Sequence, residues 1–324
     1  MDWIDECFLR HLFIECYYNA SKGLILESLS GISEKELSGN YGLFKGCGEL
    51  SLEILGRVRT IISSKDNIKR VPFRNGFVAK ENGLVNSILL NFYSQKGDTL
   101  AGYSPNESRL FKYHDGTMKF DPLVIHINIA NIDNLTQSRI GHELTHAYED
   151  YMRRTDGAES LSDNSKKIGY NETLRAMSNG ESQPALIAYL LASFEQNAYI
   201  AEINMEASKY GETIKSVEDA YRIISKIPAY QNYKTLMEWL KTLSVTKNVG
   251  YLEDFITEFN AVTKYKIKNV ADFRKFCRIK LMKIERKFNR VVPKIIYNKM
   301  MVKENGMFPG NINDLPKVPY GKLL

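Results

Sequence analysis

The chain has 324 residues and a formal net charge of +6, with 44% hydrophobic and 11% aromatic residues. This composition is typical of a folded globular protein and excludes wholesale disorder, and the length allows two or three small structural units. No run approaches the 18 apolar residues that a membrane-spanning helix needs, so no transmembrane segment is expected.

The first part of the chain, residues 1–67, is predicted to be a helical N-terminal region. It begins with acidic residues, whereas a secretory signal begins with basic ones. No two cysteines form a CxxC pair; they are Cys7, Cys16, Cys47 and Cys277. We therefore expect reduced thiols in an intracellular, cytoplasmic protein.

A strand-rich segment follows from about residue 68 to 130. Ser87–Tyr93 and Leu123–Ile129 are rich in apolar and β-branched residues and alternate in polarity, which predicts two strands. Asp115 and Gly116 form the Asp-Gly pair of a tight hairpin. His126 alternates with the isoleucines of the second strand, so a cleft-facing position is one interpretation and a surface or core histidine is the other.

The segment Gly141-His142-Glu143-Leu144-Thr145-His146 is an HExxH motif inside a predicted helix of about Leu135–Arg154. Residues four apart share one helix face, so His142 and His146 can offer two imidazole nitrogens to one metal, and Glu143 can reach a metal-bound water. Apolar residues recur at the helical period on the opposite face, which predicts a buried stripe: Ile140, Leu144, Ala147, Tyr148 and Tyr151.

A catalytic zinc usually takes a third protein ligand. No histidine follows His146, so a downstream carboxylate is the natural choice. Pro184 to Glu202 is predicted to be one long, mostly buried helix with Ser182 as its N-cap. Glu195 is a charged residue inside this apolar helix and needs a partner if it is buried. Glu202 shares its face and is the alternative ligand.

The HExxH motif, followed by a helix with Glu195-Gln196-Asn197-Ala198-Tyr199, resembles the Glu-type zincins, and the ImmA/IrrE-like metallopeptidases most closely. The likeness covers about residues 123–205. It implies a zinc site made by His142, His146 and Glu195, with Glu143 as the catalytic base. Two features depart from the pattern: Glu195 lies 49 positions after His146, a longer gap than in the ImmA group, and Tyr199 stands where some Glu-type zincins have an Asp.

Peptide hydrolysis also needs a group that stabilises the oxyanion. Zincins commonly use a downstream His or Tyr, and this chain has no downstream His. The candidates are therefore Tyr170, Tyr189 and Tyr199, among which the sequence does not choose.

The remaining segments suggest surfaces for partners. Residues 155–182 are polar and could fold over the cleft as a lid. Residues 211–303 are predicted to be helical, and within them 264–303 has 14 Lys and Arg against two acidic residues, which suits an anionic partner as well as a solvated face. The tail 304–324 contains Pro309, Pro316 and Pro319 and is predicted to be an extended arm that docks on a neighbour in a homo-oligomer or larger assembly.

These patterns predict an α+β fold: a zincin-like domain at 68–210, with a small sheet, the HExxH helix and a Glu-bearing second helix, between helical additions at 1–67 and 211–303. The expected function is a zinc-dependent metallopeptidase that hydrolyses peptide bonds in a protein or peptide substrate. One alternative is a structural or assembly protein, virion-associated as in a phage particle, that retains a zincin domain. Another is a regulatory protease of the ImmA kind.

Overall fold

The structure is a computed structural model that describes residues 46–64, 71–80, 83–97, 99–155, 182–263 and 265–305. Within these ranges the fold is mixed α+β, which confirms the expected class. The strands are β1 Phe73–Val78, β2 Ser87–Tyr93, β3 Ala101–Tyr103, β4 Leu110–Lys112, β5 Met118–Phe120 and β6 Leu123–Asn128. The helices are α1 Cys47–Ser63, α2 Gln137–Thr155, α3 Gln183–Leu190, α4 Ser193–Ser208, α5 Val217–Ile224, α6 Pro228–Val245, α7 Val249–Val262, α8 Val270–Arg286 and α9 Val292–Asn305.

Four strands form one sheet in the order β1-β2-β6-β3. β2 and β6, the two strands predicted from their alternation, are its parallel central pair, and β1 and β3 flank them in antiparallel directions. β4 and β5 form a separate hairpin around Gly116, which has a positive φ of 84° as the Asp-Gly turn requires.

One face of the sheet packs against α1 and α2 and forms the first hydrophobic core. The register brings Ile88, Leu90 and Phe92 of β2 beside Leu123, Ile125 and Ile127 of β6, and all six side chains are buried. The period-two alternation therefore buries one set of side chains under the helices and turns the other set, which includes His126, to the opposite face.

A second hydrophobic core lies among α3 to α9. Aromatic rings dominate its centre: Tyr233 stacks on Phe288 with ring centroids 3.9 Å apart, and Phe259 and Phe273 are fully buried. The ring of Phe288 comes from a single π-helical turn, Lys287–Val291, between α8 and α9. α4 contributes Tyr199, Ile200, Ile203 and Ala207 to this core, while another part of its surface packs against α2 of the first core.

The helix that carries Glu195 differs from its prediction. Ser182 caps α3 as expected, since its side chain accepts a hydrogen bond from the backbone N–H of Ala185. The predicted single helix is wrong, however, because the backbone becomes extended at Ala192 (ψ 135°) and a new helix begins at Ser193. Glu195 therefore lies in the first turn of α4.

The HExxH helix begins two residues later than predicted. A 3₁₀ turn, Ile129–Asn134, comes between β6 and this helix. The cap is Thr136, whose hydroxyl oxygen accepts a hydrogen bond from the backbone N–H of Arg139.

None of the described helices combines the length and apolar content needed to span a bilayer. Several predictions fall outside the described residues: the helices before residue 46, Cys7 and Cys16, the polar segment with Tyr170, and the tail from residue 306. Cys47 and Cys277 are free, buried thiols.

Candidate metal centre

The HExxH motif lies where two helices from different cores meet. On α2, Ile140, Leu144 and Ala147 are fully buried in the first core, with Tyr148 and Tyr151 packed against it, so the predicted apolar stripe is confirmed. His142 and His146 face α4 instead. The two helices run antiparallel, because residues later in α2 contact residues earlier in α4. The contacts are Ser138 with Glu206, Arg139 with Glu202, and His146 with Glu195.

Three side chains converge between α2 and α4. Nε2 of His142 lies 3.5 Å from Oε2 of Glu195, and Nε2 of His146 lies 3.2 Å from Oε1 of the same carboxylate. One ligand atom from each residue lies within 4.8 Å of the other two. All three residues are buried, and Glu195 has no exposed surface. This group could hold a metal ion.

The three side chains suit a bound cation better than they suit hydrogen bonds among themselves. Neither oxygen of the Glu195 carboxylate has a hydrogen-bond partner among the described residues, although both face imidazole nitrogens. Buried carboxylates without such partners are costly, and a metal ion satisfies one directly. Two imidazoles and a carboxylate are the donor types that zinc takes in catalytic sites.

Electrostatics favour an ionised Glu195. Burial raises the pKa of its carboxyl, but the neighbouring His146 and His142 outweigh burial and hold the pKa well below its usual range. In the other direction, burial lowers the pKa of His142, yet its contacts with Glu195 and Glu202 raise that pKa to about 9. The two carboxylates therefore favour a positive charge at His142, either from a proton on the ring or from a bound cation.

Glu143, the predicted catalytic base, is not one of the three converging residues. Its Oε2 accepts a hydrogen bond of 2.9 Å from the backbone N–H of Tyr103 in β3. The Tyr103 hydroxyl donates to Asp150, two turns further along α2, at 2.6 Å. Asp150 also pairs with Arg154, which donates to the backbone carbonyls of the loop after β3. β3 is therefore fixed against the HExxH helix at Glu143 and at Asp150.

Glu202, the alternative ligand, lies on the other side of the His142 ring. Its Oε2 is 3.2 Å from Nδ1 of His142, whereas Glu195 approaches Nε2. Arg139 pairs with the same Glu202 oxygen at 3.2 Å. The sequence does not predict this ion pair, because 63 positions separate Arg139 from Glu202.

The described tyrosines differ in their relation to the site. The Tyr199 ring packs edge-on against His142 with centroids 4.8 Å apart, and its hydroxyl accepts a hydrogen bond from Asn232 of α6. Tyr189 is half-buried on α3. Tyr93, at the end of β2, was not a candidate from sequence, yet burial and the charge of nearby Glu143 raise the pKa of its hydroxyl.

His126 belongs to the sheet face that points away from α2. Its Nε2 lies 2.8 Å from Oε2 of Glu107, and its Nδ1 lies 3.1 Å from the side-chain nitrogen of Asn91. Its half-buried place on this face agrees with the surface interpretation, and the metal cluster does not include it.

Gly141 leaves room for the Met205 side chain of α4. A Cβ atom at this position would overlap the Sδ atom of Met205 on α4. Ala198, a small residue three positions after Glu195, is fully buried, and Ala192 is the N-cap residue of α4.

We expect Gly141→Ala to destabilise the protein by about 1–3 kcal/mol, as overpacking usually does, and to weaken metal binding because α4 carries Glu195. Urea unfolding and metal titration measure the two effects. Gly56→Ala is the matched control, since a Cβ on this α1 glycine meets nothing within 4 Å; it should be neutral or stabilise by about 0.5–1 kcal/mol. Met205→Ala in the Gly141→Ala background should restore part of the loss, and no restoration would contradict the packing argument.

Comparison of the chain with protein-family models, with curated proteins and with solved structures gives no significant match.

Proposed function

We propose that this protein is a zinc-dependent metallopeptidase with a zincin-like catalytic core. The observation that carries the proposal is the convergence of His142, His146 and Glu195 in one buried group, next to a glutamate of the same HExxH motif. A zinc ion held by three protein ligands would keep one coordination position for water, as catalytic zinc sites do and structural sites do not. The arrangement of β6, α2 and α4 also supports the likeness to the Glu-type zincins.

The residues of the chain have separate roles in this chemistry. Zinc, when bound, supplies Lewis-acid chemistry that makes a water molecule more acidic and polarises a carbonyl group. His142, His146 and Glu195 would hold the ion. Glu143 accepts the proton of the attacking water and delivers it to the leaving amine. Tyr93, Tyr189 and Tyr199 are the described candidates for stabilising the oxyanion.

The edge of the sheet supports a peptide as the substrate. Asn128 donates to the carbonyl of Leu100, and Ser104 donates to the carbonyl of Val124, so the even-numbered residues of this stretch pair with β6. Ala101 and Tyr103 consequently direct their backbone groups away from β6, and Tyr103 N–H points to Glu143. An extended peptide can pair by main-chain hydrogen bonds with the outward groups of this edge other than the Tyr103 N–H, which donates to Glu143. This role belongs to β3 and not to β6, because both edges of β6 are paired.

The purified protein should contain one zinc per chain, and His146→Ala should reduce this to well below stoichiometry, since it removes one of three donors. Elemental analysis after dialysis measures the content. His126→Ala is the matched control, because this histidine also faces a carboxylate but lies outside the cluster, and it should retain zinc. Equal zinc in wild type and His146→Ala would contradict the site assignment.

Activity separates the proposal from the alternative of a structural or assembly protein. Zinc binding with hydrolysis of peptides supports the metallopeptidase. Stoichiometric zinc in a large fixed oligomer, without hydrolysis of any peptide, would favour the assembly protein.

A further inference from the structure

Glu202 lies two helical turns after Glu195 on α4, about 10 Å further along the helix axis. Both carboxylates face α2, and both contact His142. The two contacts involve different ring nitrogens: Nε2 is 3.5 Å from Glu195, and Nδ1 is 3.2 Å from Glu202. The His142 ring is therefore placed between two carboxylates.

The two ring nitrogens of one imidazole point in different directions and cannot both bind the same metal ion. The Nε2 atoms of His142 and His146 converge on Glu195, so this nitrogen of His142 is the one available to a metal. Nδ1 then carries the proton of the neutral ring and can donate it. The Nδ1 atom of His142 lies within hydrogen-bonding distance of the Glu202 carboxylate, but the two groups are not aligned as in a hydrogen bond. Metal-bound histidines usually donate their other N–H to a carboxylate or carbonyl.

Arg139 explains how a second carboxylate is tolerated beside the site. It lies one turn before His142 on α2, and its Nη1 is 3.2 Å from Oε2 of Glu202. Its guanidinium also lies 5.9 Å from the centre of the Tyr199 ring, which packs against His142. An ionised carboxylate that is mostly buried needs such a partner. The guanidinium offsets one of the two carboxylate charges and makes Glu202 less available as a metal ligand.

We propose that Glu202 is a positioning residue for the metal centre: held by Arg139, it accepts the Nδ1–H of His142 and fixes the ring with Nε2 towards the metal. The proposal rests on the metal site of the proposed function. Tyr199, at the position where some Glu-type zincins have an Asp, packs its ring against His142, and the carboxylate that contacts the Nδ1 atom of His142 lies three residues later on the same helix.

Removal of Glu202 should weaken metal binding without abolishing it. We expect Glu202→Ala to lower zinc affinity by about 10–100-fold, the usual effect of losing a partner of a metal-bound histidine. Glu202→Gln should recover part of this loss, because its amide oxygen can still accept the Nδ1–H. Competition with a chromophoric chelator gives the affinities. Glu206→Ala is the matched control on the same helix, with a carboxylate that contacts Ser138 and Lys209 rather than a histidine, and it should bind zinc as wild type does.

A spectroscopic readout separates positioning from a general effect on folding. In the cobalt-substituted protein, the Nδ1–H proton of His142 should give a slowly exchanging, paramagnetically shifted NMR signal. That signal should exchange faster or disappear in Glu202→Ala and persist in Glu206→Ala. Arg139→Gln should show a smaller change in the same direction.

The outcomes are distinct for the two proposals. Wild-type protein that binds no zinc overturns the metal site and this inference together. Zinc binding by wild type, with unchanged affinity and an unchanged NMR signal in Glu202→Ala, overturns the positioning role alone. Complete loss of metal in Glu202→Ala, with metal retained in Glu195→Gln, would make Glu202 a ligand and overturns its role as a positioning residue.

Discussion

Glu143→Gln should retain zinc and lose peptide hydrolysis. The carboxylate is not among the three converging residues, so its replacement leaves the donors in place. Gln has the same shape, and its amide oxygen can still accept the hydrogen bond from the backbone N–H of Tyr103. It cannot accept the proton of water, however. The loss of rate should be at least the roughly 10²–10⁴-fold that acid–base catalysis supplies.

The measurement is turnover of a peptide library together with zinc content for each variant. Glu258→Gln, an exposed position on α7, is the control for the loss of one carboxylate and should match wild type in both. Undiminished cleavage by Glu143→Gln would mean that the activity comes from another site or from a contaminant.

Loss of Glu195 should have the largest effect on metal binding. It is the carboxylate that faces both Nε2 atoms, and it has no exposed surface. We expect Glu195→Ala to lower zinc affinity by more than the roughly 100-fold upper range for supporting partners. Glu195→Gln keeps the side-chain volume while removing the charge, so a loss in both variants cannot be attributed to a cavity.

Chelator competition on Glu195→Ala, Glu195→Gln and the control Glu206→Ala gives the ranking. If Glu202→Ala loses the metal and both Glu195 variants keep it, the ligand assignment is wrong. The likeness to the ImmA/IrrE pattern is then wrong as well, because it depends on the position of Glu195.

Local patterns in the sequence were sufficient for the central strands and the motif helix. The alternation of β2 and β6 reflects burial on one face only, and the stripe on α2 reflects packing against the sheet. Both signals are local, since each depends on neighbours within a few residues. The strand Ser87–Tyr93 has the predicted bounds.

The sequence patterns did not predict features that depend on contacts between distant residues. No Gly or Pro marks the end of α3 at Leu190, so the break before α4 depends on how the two helices pack rather than on a local signal. β3 has only three residues, too few for an alternation to show. The pairing of Arg139 with Glu202 depends on the antiparallel contact between α2 and α4. The spacing of the residues restricts the third ligand to one face of the predicted helix, which carries both Glu195 and Glu202. Only the packing of α4 against α2 shows that Glu195 approaches the Nε2 atoms and that Glu202 approaches the Nδ1 atom of His142.

The break before Ser193 also changes the field in which Glu195 lies. The first turn of a helix has backbone N–H groups without intrahelical acceptors, and the aligned peptide dipoles place about half a positive charge there. An unbroken helix would have put Glu195 in its middle, where neither effect operates. Because α4 begins two residues earlier, its macrodipole favours the anionic carboxylate before any metal arrives. The position of Glu195 in the first turn therefore acts in the same direction as the neighbouring histidines, which hold the pKa of this carboxyl well below its usual range.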